Sequence, residues 1–379
     1  MSRTSTERPV RDELRDTVRE FLARRAPMGE IRRRIATEQP YDPDVWALMS
    51  DQLGLTGLAI PDEYGGAGAS WQELAVVVEE LGRALLPSPY LAGVVLAGTA
   101  ISCSDDEVCK KELLPRIAAG QLTAALAVLE DDGRWNAPIG LRAVPNGDGY
   151  LLDGHKSFVL DGHLADVLIV AARTARGASL FVVDGAGPGL IRTPLTTLDR
   201  TRPQARLEFA GVPARIIGTE GGAGPVLART FDLASIAAAA DALGGAQRCL
   251  EMSIGYAKER IAFGRPIGAF QAIKHKLADL LLEVEFARAA VERAALAAAQ
   301  DTDEVPLLAG LAAAHCSQTY ALVATENIHI HGGVGFTWEH DAQLYFKRAK
   351  SSQVLFGDAA VHRERVAAHL LDEPADAAG

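Results

Sequence analysis

Asp241 is the residue whose surroundings ask most of it. It stands alone in IAAAADALGG (Ile236 to Gly245), a run of small apolar residues. A carboxylate in such a run is expected to be at least partly buried, and a buried carboxylate has either a partner or a function. Asp358 falls within the last helical segment, where it is either an N-terminal charge or cap on the last helix or a group that does chemistry. His331 and His340 are metal-ligand types, but no Cys, His or acidic residue joins them at ligand spacing. Cys103, Cys109, Cys249 and Cys316 have no ligand spacing either and read as ordinary thiols of a reducing compartment. No metal site is expected. Taken singly, Arg260 is a helix-end charge, Phe263 a core aromatic and Gly332–Gly333 a turn.

The elements that must position these residues fall in three blocks. Val10, Leu14, Val18 and Phe21 recur at helical spacing, and WQELAVVVEELGRALL (Trp71 to Leu86) is a second amphipathic segment stopped by Pro87 and Pro89. Between them lies the glycine-rich loop IPDEYGGAG (Ile60 to Gly68). From Ala124 to about Ile217, short apolar runs such as DVLIVAAR and SLFVVD alternate with NGDG and GAGPG turns, which predicts strands. From Pro225 onward four long alanine- and leucine-rich segments return: Val226 to Arg260, Phe270 to Gln300, Val305 to Ile330 and Asp341 to Leu371. They are long enough for a four-helix bundle. The expected fold class is α+β multidomain: a helical domain over 1–123, a central β domain over 124–220 and a helical bundle over 221–379.

Composition excludes several functions. The 379 residues carry a formal net charge of -11, which gives a nucleic-acid partner little electrostatic support. The charged N-terminus has no apolar stretch behind it, and no apolar run is expected to span a bilayer. The expected location is the cytoplasm.

Two stretches carry a family resemblance. YAKERIAFGRPIGAFQ (Tyr256 to Gln271) resembles the acyl-CoA dehydrogenase pattern Y-x-x-x-R-x-x-F-G-x-x-I-x-x-x-Q, and IHIHGGVGFTWEHDAQLYFKRAK (Ile328 to Lys350) resembles that family's second flavin segment. IPDEYGGAG and EELGRALLP look like its N-terminal domain. The resemblance implies FAD as cofactor, an acyl-CoA thioester as substrate and an electron-transfer flavoprotein as acceptor. It implies Arg260 on the pyrophosphate, Phe263 and Gln271 on the adenine, and Gly264, Gly332 and Gly333 where backbone must approach the cofactor. His329, where a glutamine is common, and Phe158, where an indole is common, are carried over as cofactor contacts. In the family these groups reach a neighbouring subunit's flavin, so an oligomer is implied, either of identical chains or with a related subunit.

The resemblance also exposes a gap. The family reaction removes the α proton of the thioester with a carboxylate while hydride leaves the β carbon for the flavin. Aligning AKSSQVLFGDAAVHRER puts Phe356 at the usual base position, and the alternative position on the preceding helix holds Ala234. Neither accepts a proton. Asp241, two helical turns beyond Ala234 and roughly 10 Å from it, and Asp358, two positions beyond Phe356, are the replacement candidates. In the β domain Leu129, Phe158 and Leu160 replace hydroxyls and an indole against the flavin ring. Three readings follow: an α,β-dehydrogenase with a relocated base, a degenerate subunit that completes a partner's FAD site, and a non-enzymatic acyl-CoA or flavin-binding scaffold.

Overall fold

The structure, a computed structural model, describes residues 4–371. It opens with α1 (Thr4–Arg25), α2 (Met28–Arg34), α3 (Pro43–Asp51) and α4 (Trp71–Ala84). A π-helical turn (Tyr90–Ala97) runs into α5 (Gly98–Ser102), and α6 (Glu107–Ala118) follows. Then come β1 (Ala124–Ala127), β2 (Arg142–Asn146), β3 (Gly149–Leu160), β4 (Val167–Thr174), β5 (Gly177–Asp184), β6 (Leu190–Pro194) and β7 (Gln204–Ile217). The rest is α7 (Ala223–Glu259), the short strands β8 (Ile261–Ala262) and β9 (Arg265–Pro266), α8 (Gln271–Gln300), α9 (Val305–His331), α10 (Ala342–Ser352) and α11 (Ala359–Leu371).

The helical, β, helical order matches the expected fold class. The compact units, however, do not follow the three sequential blocks. One unit takes residues 25–74 and 86–234; the other takes the described residues up to 24, residues 75–85 and the described residues from 235.

In the first unit β1 to β7 form one mixed sheet. β4 pairs with both β2 and β5, and the path β2–β3–β7–β5 closes on it like a barrel. Along β7, Ala205, Leu207, Phe209, Val212 and Ala214 are buried, the alternation of a sheet with one face in the core, with an offset after Phe209 at a register shift against β3. The helical part seals its aromatic side chains with hydrogen bonds: Trp46 Nε1 donates to the Gly120 carbonyl at 3.0 Å and Tyr90 OH to the Leu55 carbonyl at 3.0 Å.

In the second unit charge explains why α1 and α4 join the C-terminal helices. Glu79 and Glu80 of α4 are buried, and buried carboxylates must be paired. Arg19 grips Glu80 with two bonds of 2.6 and 2.9 Å, Arg15 reaches Glu79 at 2.7 Å, and Arg288 of α8 reaches Glu79 at 2.9 Å. α4 and α7 touch backbone to backbone. A Cβ on Gly244 would lie 1.8 Å from the Glu79 carbonyl oxygen, and one on Gly82 would lie 2.3 Å from that of Asp241. One stretch, Val305–Phe336, is by length and composition apolar enough to cross a membrane, contrary to the sequence expectation; 61% of its most apolar window is buried inside the protein, as in a core helix.

Candidate active site

Asp241, the first candidate base, lies buried on α7, and Nη1 of Arg348 on α10 donates to its Oδ1 at 3.1 Å. Arg348 is buried as well. Protonating or withdrawing the carboxylate would leave a guanidinium in the interior without that charge opposite it. Asp358 is exposed. Its Oδ1 accepts from the backbone N–H of Ala360 and of Val361, each at 2.9 Å, which is an N-cap on α11.

Phe356 is buried in the tight turn that Gly357 (φ +96°) closes. It borders a cavity of about 20 Å³ with Ser235, Ala242, Ser317, Ser352 and His362. That is room for about one water, and no carboxylate lines it. Behind the turn, the His362 imidazole bonds to the backbone of Phe356, and burial pushes its pKa down to about 4, helped by the Arg365 charge.

The first cofactor segment is a hairpin. β8 and β9 pair, with Phe263 (φ +52°) and Gly264 (φ +75°) as the connecting residues. Two positive φ values are the signature of a type I′ turn, and a phenylalanine there is strained. At the tip of the hairpin the Phe263 ring stands in solvent, 96% exposed. Arg260 precedes the hairpin, its N–H bonded to the Tyr256 carbonyl at 2.8 Å. Gln271 opens α8 with its amide 2.8 Å from His275 Nε2, so it is engaged one turn along its own helix.

The second segment begins where α9 ends. Gly332 has φ +63°, and a Cβ added at Gly332 or Gly333 would meet nothing within 4 Å. Phe336 and Trp338 follow, 75% and 74% exposed. His329 is exposed at the end of α9 with Nδ1 3.4 Å from Glu326 Oε1.

In the β-containing unit, Phe158 lies in a register shift of β3 between Lys156 and Val159. It has φ +57° and is 40% exposed. A bulge of this kind re-aims a side chain out of the ladder. Its neighbours are committed elsewhere: Ser157 Oγ donates to Asp131 at 2.7 Å, and buried Lys156 donates to Glu130 at 2.8 Å and to the Val128 carbonyl at 2.9 Å. Burial lowers the Lys156 pKa, and Glu130 opposes the shift. Leu160 is buried in the strand. The hydroxyl nearest Phe158 is therefore already spent within the protein.

Comparison with known proteins fits this geometry. A family model described as "Acyl-CoA dehydrogenase, C-terminal domain" matches residues 222–371, and "Acyl-CoA dehydrogenase, N-terminal domain" matches residues 9–121. The chain belongs to the acyl-CoA dehydrogenase family. It is similar to acyl-CoA dehydrogenase IpdE2 of Mycolicibacterium smegmatis, 35% identical over 95% of this chain and 99% of that one. Among solved structures it is similar to the Tcur3481-Tcur3483 steroid ACAD, with TM-score 0.87, 31% identity and coverage of 96% and 98%. It is also similar to the ChsE4-ChsE5 complex of Mycobacterium tuberculosis, with TM-score 0.88, 29% identity and the same coverage.

An acyl-CoA dehydrogenase acts on CH–CH bonds with FAD. The residues present suit such a cofactor: an exposed aromatic ring on a strained hairpin, an arginine before it, and a positive-φ glycine with open space beside the next one. The turn where the resemblance puts the family's carboxylate presents the buried ring of Phe356 instead.

Sequence reasoning missed Arg348 as the partner of Asp241, since it stood only within the second flavin segment, Ile328 to Lys350. It also missed the Lys156–Glu130 pair and the place of His362 behind Phe356. Nothing local in the sequence signals pairs 107 or 26 residues apart.

Proposed function

We propose that this chain is the completing subunit of a two-chain, FAD-dependent acyl-CoA dehydrogenase that converts an acyl-CoA thioester to the 2-enoyl-CoA. The observation that carries the reading is the turn at Phe356. A buried aromatic ring and a one-water cavity stand where the base would face the acyl group. Asp241 is tied to Arg348 and Asp358 caps α11, which weighs against either as a relocated base. Two similar structures each carry a pair of chain names, and one is a steroid ACAD, which supports a related partner and makes bulky acyl thioesters the first substrates to try.

In this reading Arg260 holds the pyrophosphate, Phe263 covers the adenine, Gly332 and Gly333 let backbone approach the dinucleotide, and Phe158 packs against a ring without donating to it. FAD, when bound, takes up the hydride from the β carbon. The partner subunit supplies the carboxylate for the α proton, and an electron-transfer flavoprotein is the proposed acceptor.

The test is the visible spectrum of the chain purified alone and after co-expression with a related acyl-CoA dehydrogenase subunit. The reading expects flavin bands bleached by acyl-CoA only in the two-chain preparation. Stoichiometric flavin in the chain alone, bleached by any thioester, would overturn it.

A further inference from the structure

Gly264 and Gly332, one from each cofactor segment, are 68 residues apart along the chain, yet three rings bring the roots of the two segments together. Tyr256 lies on α7 one turn before Arg260, and its carbonyl accepts the Arg260 N–H at 2.8 Å. Its ring lies on that of His331, with centroids 4.3 Å apart. His331 is the last residue of α9, directly before Gly332. The ring of His340, from the far end of the same loop, lies 4.4 Å from that of His331.

Polar contacts fix the stack at both ends. Ser253 Oγ on α7 donates to Asn327 Oδ1 on α9 at 2.9 Å, and both side chains are fully buried. The carbonyl of Asn327 takes the Nδ1–H of His331 at 2.7 Å. His340 Nδ1 accepts the N–H of Ala342, the first residue of α10, at 3.1 Å. The loop folds tightly against this joint, since a Cβ on Gly335 would come within 2.9 Å of the His331 Cβ and 3.1 Å of the Ile328 carbonyl.

We propose that Tyr256, His331 and His340 are positioning residues whose stack holds the Arg260–Gly264 hairpin in register with Gly332–Gly333, so that both grip one dinucleotide. The role for a dinucleotide rests on the cofactor assignment made above. The stack requires neutral imidazoles. His340 accepts through Nδ1 and cannot do so when that nitrogen is protonated, and two imidazolium rings at this separation repel. The titratable groups that face His331 are Tyr256 from α7 and His340 from the loop, while Asn327 of its own helix supplies an uncharged carbonyl. Burial, with the His340 charge behind it, lowers the His331 pKa.

Hydrogen exchange on the full chain, corrected for the intrinsic chemical rate, tests the joint without any cofactor. Between about pH 8 and about pH 5, peptides spanning 256–264 and 331–341 should lose protection together, on the order of tenfold for loss of one ring contact. His331→Ala should lose it at both pH values, and His331→Phe, which keeps a ring and cannot be protonated, should restore it at pH 8 and leave only the smaller pH dependence that His340 carries. Loss in only one of the two segments, or no pH dependence in either, overturns the joint. FAD titration of the two-chain complex then checks the assignment beneath it. Weaker binding in His331→Ala and recovery in His331→Phe support it. Coupled exchange with unchanged FAD affinity leaves the joint standing and removes its cofactor role.

Discussion

At the scale of single residues, two buried groups decide what the bundle can and cannot do. Asp241 faces Arg348 at 3.1 Å, so Asp241→Asn should cost about 3 kcal/mol or more in denaturant unfolding by leaving the guanidinium without its counter-charge. The double variant Asp241→Leu with Arg348→Met should recover most of that loss. A single variant of unchanged stability that abolishes substrate reduction would instead make Asp241 the base. His362 gives a pH signature. Its pKa is about 4 in the folded protein against 6.5 for an ordinary histidine. The unfolded chain therefore takes up the proton first. The contribution of His362 is complete above pH 6.5 and is lost as pH falls towards 4, by up to about 3 kcal/mol. Unfolding midpoints across that range should show the slope in the wild type and a shallower one in His362→Gln.

At the scale of elements, the crossing of α4 and α7 is the sharpest constraint. The Cβ of Gly244→Ala would sit 1.8 Å from a carbonyl oxygen, so the helices must separate. A loss of about 3 kcal/mol, or failure to fold, is expected from the overpacking. Gly255→Ala on the same helix meets nothing within 4 Å and should stabilise by up to about 1 kcal/mol through helix propensity alone. Thermal unfolding of the pair separates backbone contact from propensity. The helices themselves were legible from periodicity. Their close approach was not, because GG in a run of alanines looks like any small-residue stretch until its neighbour is known.

At the scale of the whole molecule, the surface of the bundle is unfinished. On α8, Leu282 and Phe286 are 57% and 62% exposed, one turn apart. In the two-chain reading proposed above, this pair is a candidate contact for the partner subunit. Leu282→Glu with Phe286→Glu should shift the sedimentation of the two-chain preparation towards smaller species and leave the unfolding midpoint of the isolated chain within about 0.5 kcal/mol. Unchanged sedimentation would place the subunit interface elsewhere.

The sequence by itself determined the family, the helical, β, helical order and the absence of a carboxylate at position 356, because these depend on residue type and short-range spacing. Only the tertiary structure decided what became of Asp241 and Asp358, why Glu79 and Glu80 tolerate burial, and that Tyr256, His331 and His340 meet. Each of those rests on a partner distant in the chain or on a local backbone geometry. The energy of a buried charge or a stacked ring belongs to the pair, and a linear pattern names one member at a time.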